Sequence, residues 1–200
     1  MEIANKKQLR QIIAEDCRIY HDQPMSKLLI KKIIGHSDAI FCKFLEHMRK
    51  EQYYKYRRGG VSKLLYLFSM SRKNKYGMML GIELHGECVG RGVTIRHYGC
   101  ITVNAFAQIG DYCTFRGDNC VGVARDGGIP PKIGNNVDIG FGAKIIGDLQ
   151  IADNCIIGAN AVVTRSCLEE GAVLAGVPAR IIKHGVYNGK DKDFDHHNNL

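Results

Sequence analysis

No stretch of the 200 residues is apolar over transmembrane length, which excludes a bilayer-spanning helix. The first residues include Glu2, Asn5, Lys6 and Lys7 and lead into no apolar run, so a secretory leader is not expected. Trp is absent. The eight cysteines (Cys17, Cys42, Cys88, Cys100, Cys113, Cys120, Cys155 and Cys167) form no C-x-x-C pair, and no Cys/His set has zinc spacing. Neither a metal site nor a redox motif is expected. Reduced thiols in a cytoplasmic chain are the simplest account. Acidic residues are scarce early: residues 1–80 carry 17 Lys+Arg against 7 Asp+Glu, whereas residues 81–200 carry 11 against 13. The basic character therefore belongs to the N-terminal part. Such a segment can touch an anionic membrane surface, and the bland alternative is a solvated face that keeps the chain soluble. No nucleic-acid-binding motif accompanies it, so a nucleic-acid partner is not expected.

What the sequence does contain is a six-residue period. From Val89 onward aliphatic residues recur as Val89, Ile95, Ile101, then Ile109, Phe115, Val121, then Ile133, Ile139, Ile145, Ile151, Ile157, Val163. Gly often follows, as at Gly90, Gly110, Gly122, Gly134, Gly140 and Gly158. A small or medium apolar residue often stands four positions on: Val93, Val137, Ala143, Leu149, Cys155, Ala161, Cys167. Six is neither a helical period nor a simple strand alternation. It fits a coil of triangular section in which each hexapeptide forms one side and the aliphatic points inward. Two interruptions break the period. Ile101 to Ile109 is eight residues, and Val121 to Ile133 is twelve, with 124–131 reading as an excursion loop.

Upstream of Gly81 the pattern is helical: Leu9, Ile12, Ile13 and Cys17 share one face, and the segments 25–48 and 61–70 read similarly, with Gly59-Gly60 as a break. The expected organisation is a helical domain over 1–80, a repeat domain over 81–183 and a tail without fixed structure over 184–200. A helical cap is physically required, because the first coil otherwise exposes unpaired strand edges. His196 and His197 on the tail have no further ligands nearby in sequence to make a metal site.

Residues 81–183 resemble the serine acetyltransferase branch of the hexapeptide-repeat acyltransferases. The resemblance rests on Gly-Ile-Glu-Leu-His85, Ile95-Arg-His-Tyr-Gly-Cys-Ile-Thr-Val-Asn104, Pro131-Lys-Ile-Gly134, 139–147, 157–163 and Ala175-Gly-Val-Pro-Ala-Arg-Ile-Ile182. It implies a left-handed parallel β-helix, acetyl-CoA as donor, and a homotrimer with sites in the clefts between prisms. By the same resemblance His97 is the general base, and Glu83 corresponds to a family carboxylate of the serine site; either Glu83 or a backbone carbonyl orients the imidazole. Gly122, Gly142, Ala143, Gly158 and Ala159 line the pantetheine arm, and Lys144 and Arg180 meet the CoA phosphates. His85 takes a structural role.

The chain departs from that branch at three places. Arg96 stands where an Asp precedes the base. Ile129 and Pro130 replace an Arg-His pair that holds the serine substrate, and Glu83 stands in place of a shorter carboxylate. A carboxylate buried without its charge partners is costly. The pattern therefore points to the family's sugar-acting relatives, with a saccharide hydroxyl as acceptor and the basic helices near lipid-linked saccharides at the inner membrane face. The alternatives are a serine O-acetyltransferase feeding cysteine synthesis and a non-catalytic β-helical scaffold.

Overall fold

The computed structural model describes residues 2–21 and 36–185. Three helices precede fourteen short strands among these residues: α1 (Lys6–His21), α2 (Ser37–Lys55) and α3 (Gly60–Leu80). Of the expected helical segment 25–48, residues 25–35 lie outside the described residues, as do residues 186–200 of the expected tail. α3 is stopped by Gly81, whose left-handed backbone (φ 70°) returns its N–H to the Gly77 carbonyl.

The strands, numbered in chain order, stack into three faces of a prism. The first face holds β1 (Ile82–Glu83), β3 (Ile101–Val103), β6 (Cys120–Gly122), β9 (Lys144–Ile146) and β12 (Val162–Val163). The second holds β4 (Gln108–Ile109), β7 (Lys132–Ile133) and β10 (Gln150–Ile151). The third holds β2 (Thr94–Ile95), β5 (Thr114–Phe115), β8 (Asp138–Ile139), β11 (Ile156–Ile157) and β13 (Val173–Gly176). Each strand pairs in parallel with the strand one coil away, so backbone groups are satisfied between coils. The stack ends where β14 (Ala179–Lys183) folds back antiparallel on β13.

The period becomes columns of buried side chains. Ile95, Phe115, Ile139, Ile157 and Leu174 stack behind the third face. Val103, Val121, Ile145 and Val163 stack behind the first. All nine are at most 3% exposed. Corner positions Val93, Cys113, Val137, Cys155 and Ala172 are fully enclosed. The described cysteines are free thiols, and burial pushes that of Cys155 up to about 12.

One expectation needs correction. The surplus of two residues lies not between Ile101 and Ile109 but one corner earlier. Val103, not Ile101, pairs with Val121, so the turn from the third face to the first runs from Ile95 to Val103. The equivalent turns run from Phe115 to Val121 and from Ile139 to Ile145. Two aliphatics two positions apart satisfy the local pattern equally, and only the pairing across coils decides between them. The second interruption is a loop, as expected, between Gly122 and Lys132.

The helices close the first coil with side chains rather than a strand. Tyr20 from α1 sets its hydroxyl on the Ile95 backbone, accepting from the N–H (3.0 Å) and donating to the carbonyl (2.5 Å). Asp16 accepts from the Val93 N–H at 3.1 Å. Arg49 from α2 pairs with Asp16 at 2.7 Å and donates to the carbonyls of Gly86, Val89 and Gly90. Arg49 and Asp16 are both fully buried. Burial pushes the Asp16 carboxyl up and the Arg49 charge opposes it. Tyr20, Phe41, Phe44, Leu45 and Met48 continue the core of the prism into the helices without a break.

Candidate functional site

The enlarged corner between β2 and β3 carries Arg96, His97, Tyr98, Gly99 and Cys100, of which only Gly99 is not exposed. It is anchored from behind: the Gly99 N–H donates to the Leu80 carbonyl at 2.9 Å, tying it to the end of α3. His97 projects from this corner and makes no hydrogen bond to any described residue.

Its nearest ring is Phe141. The centroids are 6.4 Å apart and the planes meet at 67°, an edge-on contact. The two rings belong to corners two coils apart, and the residue between them in the column is Gly117. A Cβ at Gly117 would lie 2.9 Å from the Phe141 ring and 3.3 Å from the His97 Cβ. The missing side chain is what lets the phenyl ring reach the imidazole. Buried Asn119 fixes this corner. Its side-chain oxygen accepts from the Gly117 N–H (3.0 Å), and its amide donates to the Gly140 carbonyl (2.8 Å). On the adjoining face Arg116 grips Asp138 with two hydrogen bonds, of 2.8 and 2.6 Å. Arg96, one coil above Arg116 in the same column, has no ion pair among the described residues.

The other expected site residues divide. Glu83 is exposed on β1 beside Thr102 of β3, and no hydrogen bond joins it to His97. His85 sits apart at the helical cap, where burial, then Lys73, lowers its pKa. Gly142, Ala143, Gly158 and Ala159 follow one another down the edge below His97, together with Phe141. Ala143 is fully buried, its N–H donates to Gly140 and its carbonyl accepts from Cys120, so it offers a ligand neither side chain nor backbone. Both backbone groups of Gly158 are likewise engaged, with Leu174 and Ala161. Gly122 lies at the far margin of the first face, its carbonyl taken by Gly147. Lys144 is half-buried and reaches Asp118, with the carbonyl at 2.5 Å and the carboxylate at 3.3 Å. Arg180 is exposed in the closing hairpin, remote in the fold from the first coil.

Sequence reasoning did not find Phe141, Gly117 or Asn119. Aligning the corners on Ile95, Phe115 and Ile139 would have put residues 97, 117 and 141 in one column. A concavity of about 490 Å³ lies elsewhere, between the end of α2 and the start of α3, lined by Tyr54, Lys55, Arg57, Lys63 and Tyr66. His97 stands on an open edge instead. Among the described residues no three or more His, Cys, Asp or Glu side chains gather as a metal site.

Fold and repeats together define a hexapeptide-repeat, left-handed parallel β-helix with an N-terminal helical cap. Residues 130–165 match the family model described as bacterial transferase hexapeptide (six repeats). The chain is 36% identical over 108 residues to a serine acetyltransferase of Synechococcus elongatus, covering 52% of this chain and 44% of that one. It is 29% identical over 199 residues to the serine acetyltransferase of Staphylococcus xylosus, covering 96% and 85%. The serine acetyltransferase of Brucella abortus strain S19 in complex with coenzyme A superposes with a TM-score of 0.66 at 20% identity, over 90% of this chain and 69% of that one. The chain is thus similar to serine acetyltransferases in its repeat region and in its fold, and it spans less than half the length of the Synechococcus relative.

Proposed function

We propose that the chain is an acetyl-CoA-dependent O-acetyltransferase whose base is His97. The observation that carries the reading is the column His97–Gly117–Phe141. It holds an imidazole on an open edge, walled by one aromatic ring and free of competing hydrogen bonds.

An alcohol is too weak an acid to attack a thioester unaided. An imidazole within hydrogen-bond reach takes its proton as the oxygen bonds to the acetyl carbonyl carbon. The tetrahedral oxyanion collapses, the C–S bond breaks, and the imidazolium returns the proton to the departing CoA thiolate. No covalent enzyme intermediate is required. Backbone N–H donors stabilise the oxyanion. Along the edge below His97, the exposed Ala159 leaves room for the pantetheine arm to lie against main chain, whereas the space beside buried Gly142 is filled by Asn160. Lys144 and Arg180 supply cations for the phosphates. A homotrimer would bring a second prism against this open edge and turn it into a cleft. Glu83 orients the imidazole only if substrate draws the two together.

The acceptor that the relatives support is the hydroxyl of L-serine, since those named above are serine acetyltransferases. In this chain Arg96 is the unpaired cation adjoining His97, and it is the candidate partner for the serine carboxylate. The saccharide acceptor suggested by the sequence has no support from the relatives. It remains a second reading on one observation: Ile129, 57% exposed, and Pro130 put apolar surface where the resemblance places a cationic clamp.

Thiol release from acetyl-CoA, measured with L-serine and with a panel of sugars, tests both. Turnover with serine that falls in Arg96→Gln through KM for serine, with KM for acetyl-CoA unchanged, supports the first reading. Turnover only with sugars supports the second. In either case His97→Ala should abolish turnover with the fold intact; a variant as active as the parent would refute the mechanism.

A further inference from the structure

The outward face of α3 carries apolar side chains that are largely exposed. The helix meets the body along one line, Ser69, Lys73, Gly77 and Leu80, spaced by about one turn. On the opposite side Val61, Leu64, Leu67, Phe68, Met78 and Met79 are between 45% and 80% exposed. Val61, Leu64, Leu67 and Phe68 follow one another at three- and four-residue spacing, and Met78 and Met79 resume the same side nearly three turns on, past Ser71, Arg72 and Lys75.

The charge carried by the helix itself is of one sign. From Gln52 to Ile82 there is no acidic residue, and there are seven basic ones. Two of these are neutralised within the fold, Lys55 by Glu87 and Lys73 by Glu51. Arg58, Lys63 and Lys75 have no ion-pair partner among the described residues. Arg72 lies over the Phe68 ring, its charge 5.5 Å from the centroid. Lys63, Arg72 and Lys75 are thus placed beside the apolar stripe, with stems long enough to keep their charges at a polar boundary while the stripe is submerged.

We propose that this face of α3 docks on an anionic phospholipid surface, lying in the interface with the stripe among the acyl chains and the cations at the headgroups. Exposed apolar side chains among long-stemmed cations, on a helix without acids, suit the boundary between acyl chains and anionic headgroups. A symmetric contact with a second copy would set these cations against one another. A wholly aqueous role leaves the stripe unexplained. Among the described residues no helix is long and apolar enough to span, so the contact is peripheral. The proposal narrows the basic N-terminal region to one helix face, and it does not depend on which acceptor the enzyme uses.

The test is co-sedimentation of the full chain with vesicles at low salt. One set contains phosphatidylcholine alone, the other equal parts phosphatidylcholine and phosphatidylglycerol. Sedimentation velocity is run in parallel on every protein. Binding is expected to the anionic vesicles only, and to weaken as salt screens the charges. Leu64→Glu with Phe68→Glu should lower the bound fraction about tenfold or more, with helicity, oligomeric state and solution thiol release unchanged. Lys63→Gln with Lys75→Gln should weaken binding without touching the apolar stripe. Three results would overturn the proposal: no binding by the parent chain, equal binding by the Leu64/Phe68 variant, or dissociation of an oligomer by that variant, which would make the face a subunit contact.

Discussion

Position 117 sits at φ 118°, in a region that L side chains rarely adopt, and in the path between two rings. Alanine there meets both objections. We expect Gly117→Ala to cost about 1–3 kcal/mol in backbone strain. It should also push Phe141 off the imidazole, lowering kcat more than the KM for acetyl-CoA; denaturant midpoints and steady-state kinetics read the two effects separately. Phe141→Ala removes the wall and leaves the backbone alone. Its expected signature is lost turnover by up to about 10²-fold from a misplaced base, with stability almost intact. Comparable turnover in Phe141→Ala and the parent would mean that His97 holds its position without the ring.

Among the elements, α1 and α2 hold the prism through three polar side chains in addition to their apolar packing. Asp16→Asn leaves the Arg49 guanidinium buried with its charge uncompensated, and about 3–5 kcal/mol of stability should go with it. Tyr20→Phe strips the hydroxyl from both the N–H and the carbonyl of Ile95 and should cost about 1–3 kcal/mol. Urea unfolding followed by circular dichroism checks both, and a change of only a few tenths in either would mean that apolar packing alone holds the helices. None of this capping chemistry was legible in the sequence, where Asp16, Tyr20 and Arg49 are ordinary residues of amphipathic helices. The prism was legible, because burial of every sixth residue is a local pattern repeated many times. The slip at Ile101 and Val103 was not, because either residue satisfies that pattern. The expected division at residue 80 follows a change of period, yet the side chains of Tyr20, Phe41 and Met48 join the same core as Ile95. His97 was found by resemblance. Its contact with Phe141 is separated by 44 positions and depends on an absent side chain, which no local reading supplies.

For the molecule as a whole, acid should loosen the helical cap before it touches the coils. His47 lies between Phe68 and Tyr76, with its Nδ1 buried and unpartnered. Burial lowers its pKa below the ordinary 6.5; Glu46 opposes this, and Lys50, Arg72 and Lys43 add to it. Burial lowers His85 as well. The unfolded chain then binds more protons than the folded one as pH falls through 6.5, so the stability these groups contribute is present above that value and is lost below it. Urea midpoints should decline between about pH 7 and pH 5, and His47→Phe with His85→Gln should flatten that slope. The two ends of the prism share one further property. At one end Asp16, Tyr20 and Arg49 are matched to the particular amides and carbonyls of residues 86–95; at the other, β14 turns back on β13. The stack is therefore a ruler with both ends stamped. A duplicated coil of 18 residues, the offset between Lys132 and its partner Gln150, has a place to go only between existing coils, where each new rung meets a neighbour on both sides. Lineages that lengthened this protein would carry the extra coils in the middle, and the distance from the helical cap to the closing hairpin would grow in whole steps of one rung spacing, about 4.8 Å.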